Sequence, residues 1–98
     1  MRKISLTDKA QSDLDGVVEH LVKTEGWSAI DAAMAALEML ESLSTLEIFP
    51  GAGRPSPTPD VRELVLTKFP YFAPYRVKGD TIEVLRILHH RTERTDKW

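Results

Sequence analysis

Polar and apolar residues alternate over Arg2-Lys3-Ile4-Ser5-Leu6, the period of a short, half-buried strand. The period then changes. Leu14, Val17, Val18 and Leu21 recur at helical spacing, which predicts a helix from about Asp8 to Thr24 with Asp13, Asp15, Glu19 and Lys23 mostly on its polar side. Thr7 supplies a capping oxygen, Asp8 complements the first turn, and Gly26 suits a left-handed stop. A second helix starts at Ser28, with Asp31 three residues on in a capping-box-like position, and ends before Phe49-Pro50-Gly51. Its stripe of Ile30, Ala33, Met34, Leu37, Leu40 and Leu43 reads as core, and its alanines allow close packing against the first helix as a hairpin joined near Gly26-Trp27.

Residues 50–60 hold four prolines and two glycines and read as a stiff connection from helix to sheet. Beyond it, Val61–Leu66, Tyr71–Val77 and Thr81–Arg91 are rich in β-branched and aromatic residues and are separated by breaks too short for crossovers. They predict an antiparallel meander. The last run is apolar on both faces, with Ile82, Val84 and Leu88 alternating with Leu85 and Ile87. That pattern predicts an interior strand, and a sheet face that the hairpin leaves uncovered as a binding surface. Pro74 removes a ladder donor from the middle strand and predicts a bulge or an unpaired edge there. The fold class expected for residues 1–98, as one domain, is α+β: an N-terminal strand and a two-helix hairpin packed on an antiparallel sheet.

Composition narrows the function. There is no cysteine, which excludes disulfides, thiolate metal sites and a cysteine nucleophile. No apolar run spans a bilayer and no signal-peptide pattern is present, so a cytoplasmic protein without membrane contact is expected. The net charge of -2 conceals an asymmetry. Residues 1–53 carry four Lys/Arg against nine Asp/Glu, and residues 54–98 carry nine against six, giving -5 and +3. Positive charge therefore rides on the sheet and tail, where a partner bearing carboxylates or phosphates would meet it. A pI near 5.9 argues against a chain built for nucleic-acid binding, and no sequence-specific binding of that kind is expected.

Candidate chemistry is sparse. His89 and His90 are adjacent on a strand and point to opposite faces, and His20 has no partner at ligand spacing, so no metal site or cofactor is expected. His90 as a base, with Arg91 and Arg86 as phosphate clamps, is the one arrangement suited to RNA cleavage, and the weak catalytic candidates are His90 and Arg91. Arg54 and Arg62 are expected to pair with carboxylates of the domain or of a partner. Trp98 is either pinned to the sheet or free to enter a partner.

The order strand, helical hairpin, meander, with Gly53-Arg54-Pro55, Val61-Arg62-Glu63-Leu64, Tyr75-Arg76-Val77, Ile82-Glu83-Val84-Leu85-Arg86 and His89-His90-Arg91, resembles the RelE/ParE superfamily of bacterial toxins. The resemblance covers nearly the whole chain. It implies a toxin of a type II toxin–antitoxin system, of the kind tied to plasmid stabilisation and growth arrest. A cognate antitoxin, itself a small DNA-binding protein, would neutralise it with an amphipathic helix and an extended, often acidic segment.

The two branches of the superfamily differ in residues that can be compared here. RelE-type members cleave messenger RNA on the ribosome without a metal. The resemblance places their strand lysines near Glu63 and Val65 and an arginine near Phe72, and none of these cations is present. Arg91 matches the arginine expected after the last strand, but the tail offers Lys97 and Trp98 in place of a tyrosine. A carboxylate at Glu63 would repel a phosphate, so the chain resembles the ParE branch, whose members poison DNA gyrase by contact rather than catalysis. The surface expected to meet target or antitoxin comprises Arg54, Arg62, Arg76, Arg86, Arg91 and Trp98. The alternatives are a RelE-type endoribonuclease and a non-toxic member that only binds its antitoxin and regulates its own operon.

Overall fold

The computed structural model of the chain describes residues 2–92 and Trp98. In chain order the elements are β1 (Lys3–Leu6), α1 (Asp8–Lys23), α2 (Ala29–Leu43), α3 (Thr45–Ile48), β2 (Arg54–Pro55), β3 (Arg62–Leu66), β4 (Tyr71–Lys78), β5 (Thr81–Val84) and β6 (Leu88–His89). The α+β architecture is the expected one. The sheet runs β1-β5-β4-β3-β2, and β6 pairs with β4 beyond the end of β5. All pairings are antiparallel except β1 with β5, which is parallel, Ile4 opposite Ile82 and Leu6 opposite Val84.

The helix starts follow the capping chemistry. Thr7 Oγ1 accepts from Ala10 N at 3.1 Å and donates to the Leu85 carbonyl at 2.8 Å, so one hydroxyl both caps α1 and ties it to the sheet. Ser28 Oγ accepts from Asp31 N at 3.1 Å. Gly26 has φ 76°, the left-handed turn between the helices. Ala10, Leu14 and Val17 of α1 pack with Ala36, Met39 and Leu43 of α2 and Leu46 of α3 against Leu66, Ala73, Tyr75, Ile82, Val84 and Ile87 of the sheet.

Three expectations are corrected. On α2 the buried side is Ala32, Ala35, Ala36, Met39 and Leu43, while Ile30, Met34 and Leu37 stand 73%, 56% and 58% exposed. The helix is apolar almost all round, so periodicity alone had no polar face from which to fix its orientation. Among the described residues the sheet shows no free apolar face either. Phe72 and Pro74 are buried, and among the described sheet residues Val77 is the one exposed large hydrophobic. The apolar surface that remains open lies on the helical side. Finally, the proline-rich connection contains a strand, β2, which pairs Arg54 with Glu63 and Pro55 with Arg62.

The two-faced last run has a specific cause, and it is the expected bulge. The β4–β5 ladder ends at Tyr75 opposite Val84 and the β4–β6 ladder resumes at Phe72 opposite Leu88. Leu85, Arg86 and Ile87 therefore face only Ala73 and Pro74, and Leu85 N donates to the Pro74 carbonyl at 2.8 Å. The extra residue shifts the alternation by one, so Ile87 joins Ile82 and Val84 in the same core. Asp13 of α1, placed by its spacing on the solvent side, fixes this bulge. Its carboxylate accepts from Arg86 Nε at 2.7 Å, from Arg86 Nη2 at 3.0 Å and from Ile87 N at 3.0 Å. These hydrogen bonds hold the Arg86 guanidinium above its ordinary pKa.

A second fixed point adjoins the bulge on β4. Tyr75, fully buried, donates from its hydroxyl to the Pro50 carbonyl at 2.7 Å and accepts from Gly53 N at 2.9 Å, pinning the loop after α3 to the sheet. A Cβ at Gly53 would lie 2.6 Å from Tyr75 Cε1 and 2.9 Å from the Glu63 carbonyl oxygen, so only glycine fits.

Two stability outcomes follow. Asp13→Ala removes three charge-assisted hydrogen bonds and is expected to cost about 2 kcal/mol in urea unfolding, with hydrogen exchange at Ile87 accelerated. Gly53→Ala is expected to cost about 1–3 kcal/mol through overpacking, whereas Gly16→Ala, in open space on α1, gains about 0.5–1 kcal/mol from helix propensity.

Candidate functional site

The cation-bearing residues of the sheet do not gather into one centre. Arg54 Nε lies 3.1 Å from Glu63 Oε1, and Glu63 is only 1% exposed. Its neighbour across the β2–β3 ladder therefore supplies the counter-charge that burial demands. Arg62 Nη1 donates to the Gly53 carbonyl at 2.9 Å, a backbone acceptor rather than the carboxylate expected. Arg76 Nε contacts Glu83 Oε1 at 2.7 Å across the β4–β5 pair. Arg86 belongs to the Asp13 clamp. Three of the six surface candidates thus have a carboxylate of this chain as their partner.

His90 and Arg91 sit elsewhere. His90 N donates to the Pro70 carbonyl at 2.9 Å, and Arg91 N donates to His89 Nδ1 at 3.1 Å. The His89 ring meets Tyr71 edge-on at 5.4 Å, and both histidines lie near the start of β4, as Arg91 does. Arg76 lies near the other end of that strand, about 15 Å away at the usual rise per residue. The guanidinium of Arg91 is exposed and makes no ion pair with a described residue. Trp98 is pinned: its Nε1 donates to Thr58 Oγ1 at 3.1 Å, and its carbonyl accepts from Lys9 Nζ at 2.9 Å. Lys97 lies outside the described residues.

Among the described residues no cluster of His, Asp or Glu has the grouping of a metal site. Among them, too, no helix is long and apolar enough to cross a membrane.

What the fold does assemble is a basic cleft of about 740 Å³ at the Lys78 end of β4. Arg62, Arg76, Lys78 and Arg2 line it, with Asp60 as the acidic member and Thr58, Val61, Val77 and the prolines 50, 55 and 59 forming apolar and hydroxyl walls. Arg2 and Lys78 make no ion pair with a described residue. Neither was singled out from the sequence. Lys78 precedes the Gly79-Asp80 turn and Arg2 precedes β1, and only the parallel β1–β5 pairing, Lys3 opposite Thr81 opposite Lys78, brings them to one place. Chemically the cleft can receive an extended segment bearing carboxylates. Its Pro and Val walls suit a peptide, and it presents no aromatic ring for base stacking beyond the buried Tyr75.

Known proteins share the sequence pattern and the fold. The family model described as "ParE toxin of type II toxin-antitoxin system, parDE" matches residues 4–94. A Sinorhizobium fredii relative, Y4kP, is 32% identical over 89 residues, spanning 90% of this chain and 88% of its own. Among solved structures, a chain of the chromosomal ParDE toxin–antitoxin system from P. aeruginosa superposes with a TM-score of 0.81 at 40% identity, covering 91% of this chain and 96% of that one. A family model matched over residues 4–94, with relatives 32% and 40% identical over about nine-tenths of the chain, shows that the chain belongs to the ParE toxin family of type II toxin–antitoxin systems.

Proposed function

We propose that this chain arrests growth by poisoning DNA gyrase through protein contact, and that a cognate antitoxin holds it inactive. The observation that supports contact over catalysis is the state of the strand cations. Where the RelE branch would place lysines, this chain has Glu63, buried against Arg54, and Val65. Phosphorane stabilisation requires preorganised positive charge aimed at the developing oxyanion, and Arg54, Arg76 and Arg86 are instead held by Glu63, Glu83 and Asp13.

Within this reading the working surface divides in two. The cleft formed by Arg2, Arg62, Arg76 and Lys78 receives an acidic segment of the antitoxin. Arg91 contacts the target, Trp98 buttresses the Thr58 wall of the cleft, and Arg54 and Arg86 act by holding the fold. His90 has no catalytic task.

The test is a supercoiling assay with purified gyrase, DNA and this protein, beside primer extension on translating ribosomes. Cleaved DNA is expected to accumulate and to disappear when antitoxin is added, with messenger RNA intact. His90→Ala and Val65→Ala are expected to retain full growth arrest. Codon-spaced messenger cuts with gyrase untouched, or loss of toxicity in folded His90→Ala, would overturn the reading in favour of an endoribonuclease.

A further inference from the structure

The turn that carries Arg91 is fastened by a histidine side chain. His89 closes β6 opposite Tyr71, half-buried, and the amides that follow it find different kinds of acceptor. His90 N donates to the Pro70 carbonyl at 2.9 Å and Thr92 N to the His89 carbonyl at 2.9 Å, so both rest on main-chain oxygens. The amide between them does not. Arg91 N donates to His89 Nδ1 at 3.1 Å, a side-chain acceptor two residues back. That is the connection an Asn or Asp makes in an Asx turn, made here by an imidazole.

An imidazole accepts at Nδ1 only while that nitrogen carries no proton. The bond therefore requires the neutral ring with its hydrogen on Nε2, because the imidazolium donates from both nitrogens. Tyr71 of β4 meets the ring edge-on at 5.4 Å and His90 meets it edge-on at 6.5 Å, which sets the plane from which Nδ1 reaches the amide. Beyond the phenol lie Glu25, whose charge acts on Tyr71, and His20, 3.5 Å from Glu25. Burial first, and then Glu25, hold the Tyr71 hydroxyl above its ordinary pKa, so it stays neutral where histidines titrate. A proton on Nδ1 would set one N–H against another at Arg91 and place a second cation in the same short turn.

We propose that His89 is the positioning residue of the Arg91 turn and makes that turn proton-sensitive: the neutral ring holds it closed and the imidazolium releases it. Histidine side chains change charge between about pH 5 and 8, so the closed turn belongs to the upper end of that range and is lost as pH falls through it. The consequence rests on Arg91 meeting the target, as proposed above: the target-facing arginine is ordered at neutral pH and loosened by acid. The turn itself is a property of the chain alone.

Nitrogen NMR of the full chain, with neither gyrase nor antitoxin present, tests it. At pH 7.5 the His89 ring is expected as the Nε2–H tautomer with Nδ1 unprotonated. Protection of the Arg91 amide against hydrogen exchange, corrected for the intrinsic rate, is expected to fall about ten-fold between pH 7.5 and pH 5. His89→Asn offers an oxygen in the place of Nδ1 that does not titrate, and is expected to keep Arg91 protected at both pH values, whereas His89→Ala leaves it open at both. His90→Ala is expected to leave the fall in place. A proton on Nδ1 at pH 7.5, or equal protection of Arg91 at the two pH values in the unmodified chain, would overturn the inference without any variant having to fold. So would the same fall in His89→Asn, or its disappearance in His90→Ala. The expected spectra from a chain that leaves gyrase untouched would uphold the turn and overturn the target reading alone.

Discussion

The missing N–H of Pro74 sets the geometry on which much of the molecule depends. Because that residue cannot donate, the ladder between β4 and the last strand gives way beside it, and three residues bridge a space meant for two. The bulge would be a weak point if its polar groups were left loose. Instead the Leu85 amide uses the Pro74 carbonyl, the Thr7 hydroxyl takes the Leu85 carbonyl, and Asp13 gathers the Arg86 guanidinium with the Ile87 amide. One backbone irregularity thereby joins the start of α1 to the sheet. It also turns Ile87 inward, completing a core that strict alternation would have left one side chain short.

Where the sequence was legible, the signal was local and strong. Thr7 and Ser28 cap the helices they were expected to cap, Gly26 turns between them, and Pro74 disrupts the ladder. Where it misled, competing signals were of equal strength. α2 has apolar residues on every side, so the small Ala32, Ala35 and Ala36 took the buried face, where small side chains let α1 approach closely, and the bulky Ile30, Met34 and Leu37 were left outside. Asp13 looked like a solvating charge on α1 because its partners lie 73 and 74 residues further along the chain.

The site was legible in its composition but not in its connections. The arginines of the second half announce a basic surface, yet the sequence does not say which are held by carboxylates. Glu63, Glu83 and Asp13 hold Arg54, Arg76 and Arg86, and what remains for a partner includes Arg2 and Lys78, residues at the margins of predicted strands. Glu63 shows the difference most clearly. As a sequence position it is a carboxylate where a phosphate-binding lysine would be wanted; in the fold it is a buried counter-ion that seats β2 beside β3.

The parallel pairing of β1 with β5 has a consequence for synthesis. Residues 3–6 find their ladder only in residues 81–84, so the first strand made waits for the last of the meander. Until then α1 lacks the Leu85 carbonyl and Arg86 that anchor it, and the hairpin's apolar faces have no sheet beneath them. Sheet closure of this kind carries a large loop entropy and comes late. On the ribosome, the helical half emerges well before the surface that could do harm, and the toxin remains without a finished fold through most of its own translation.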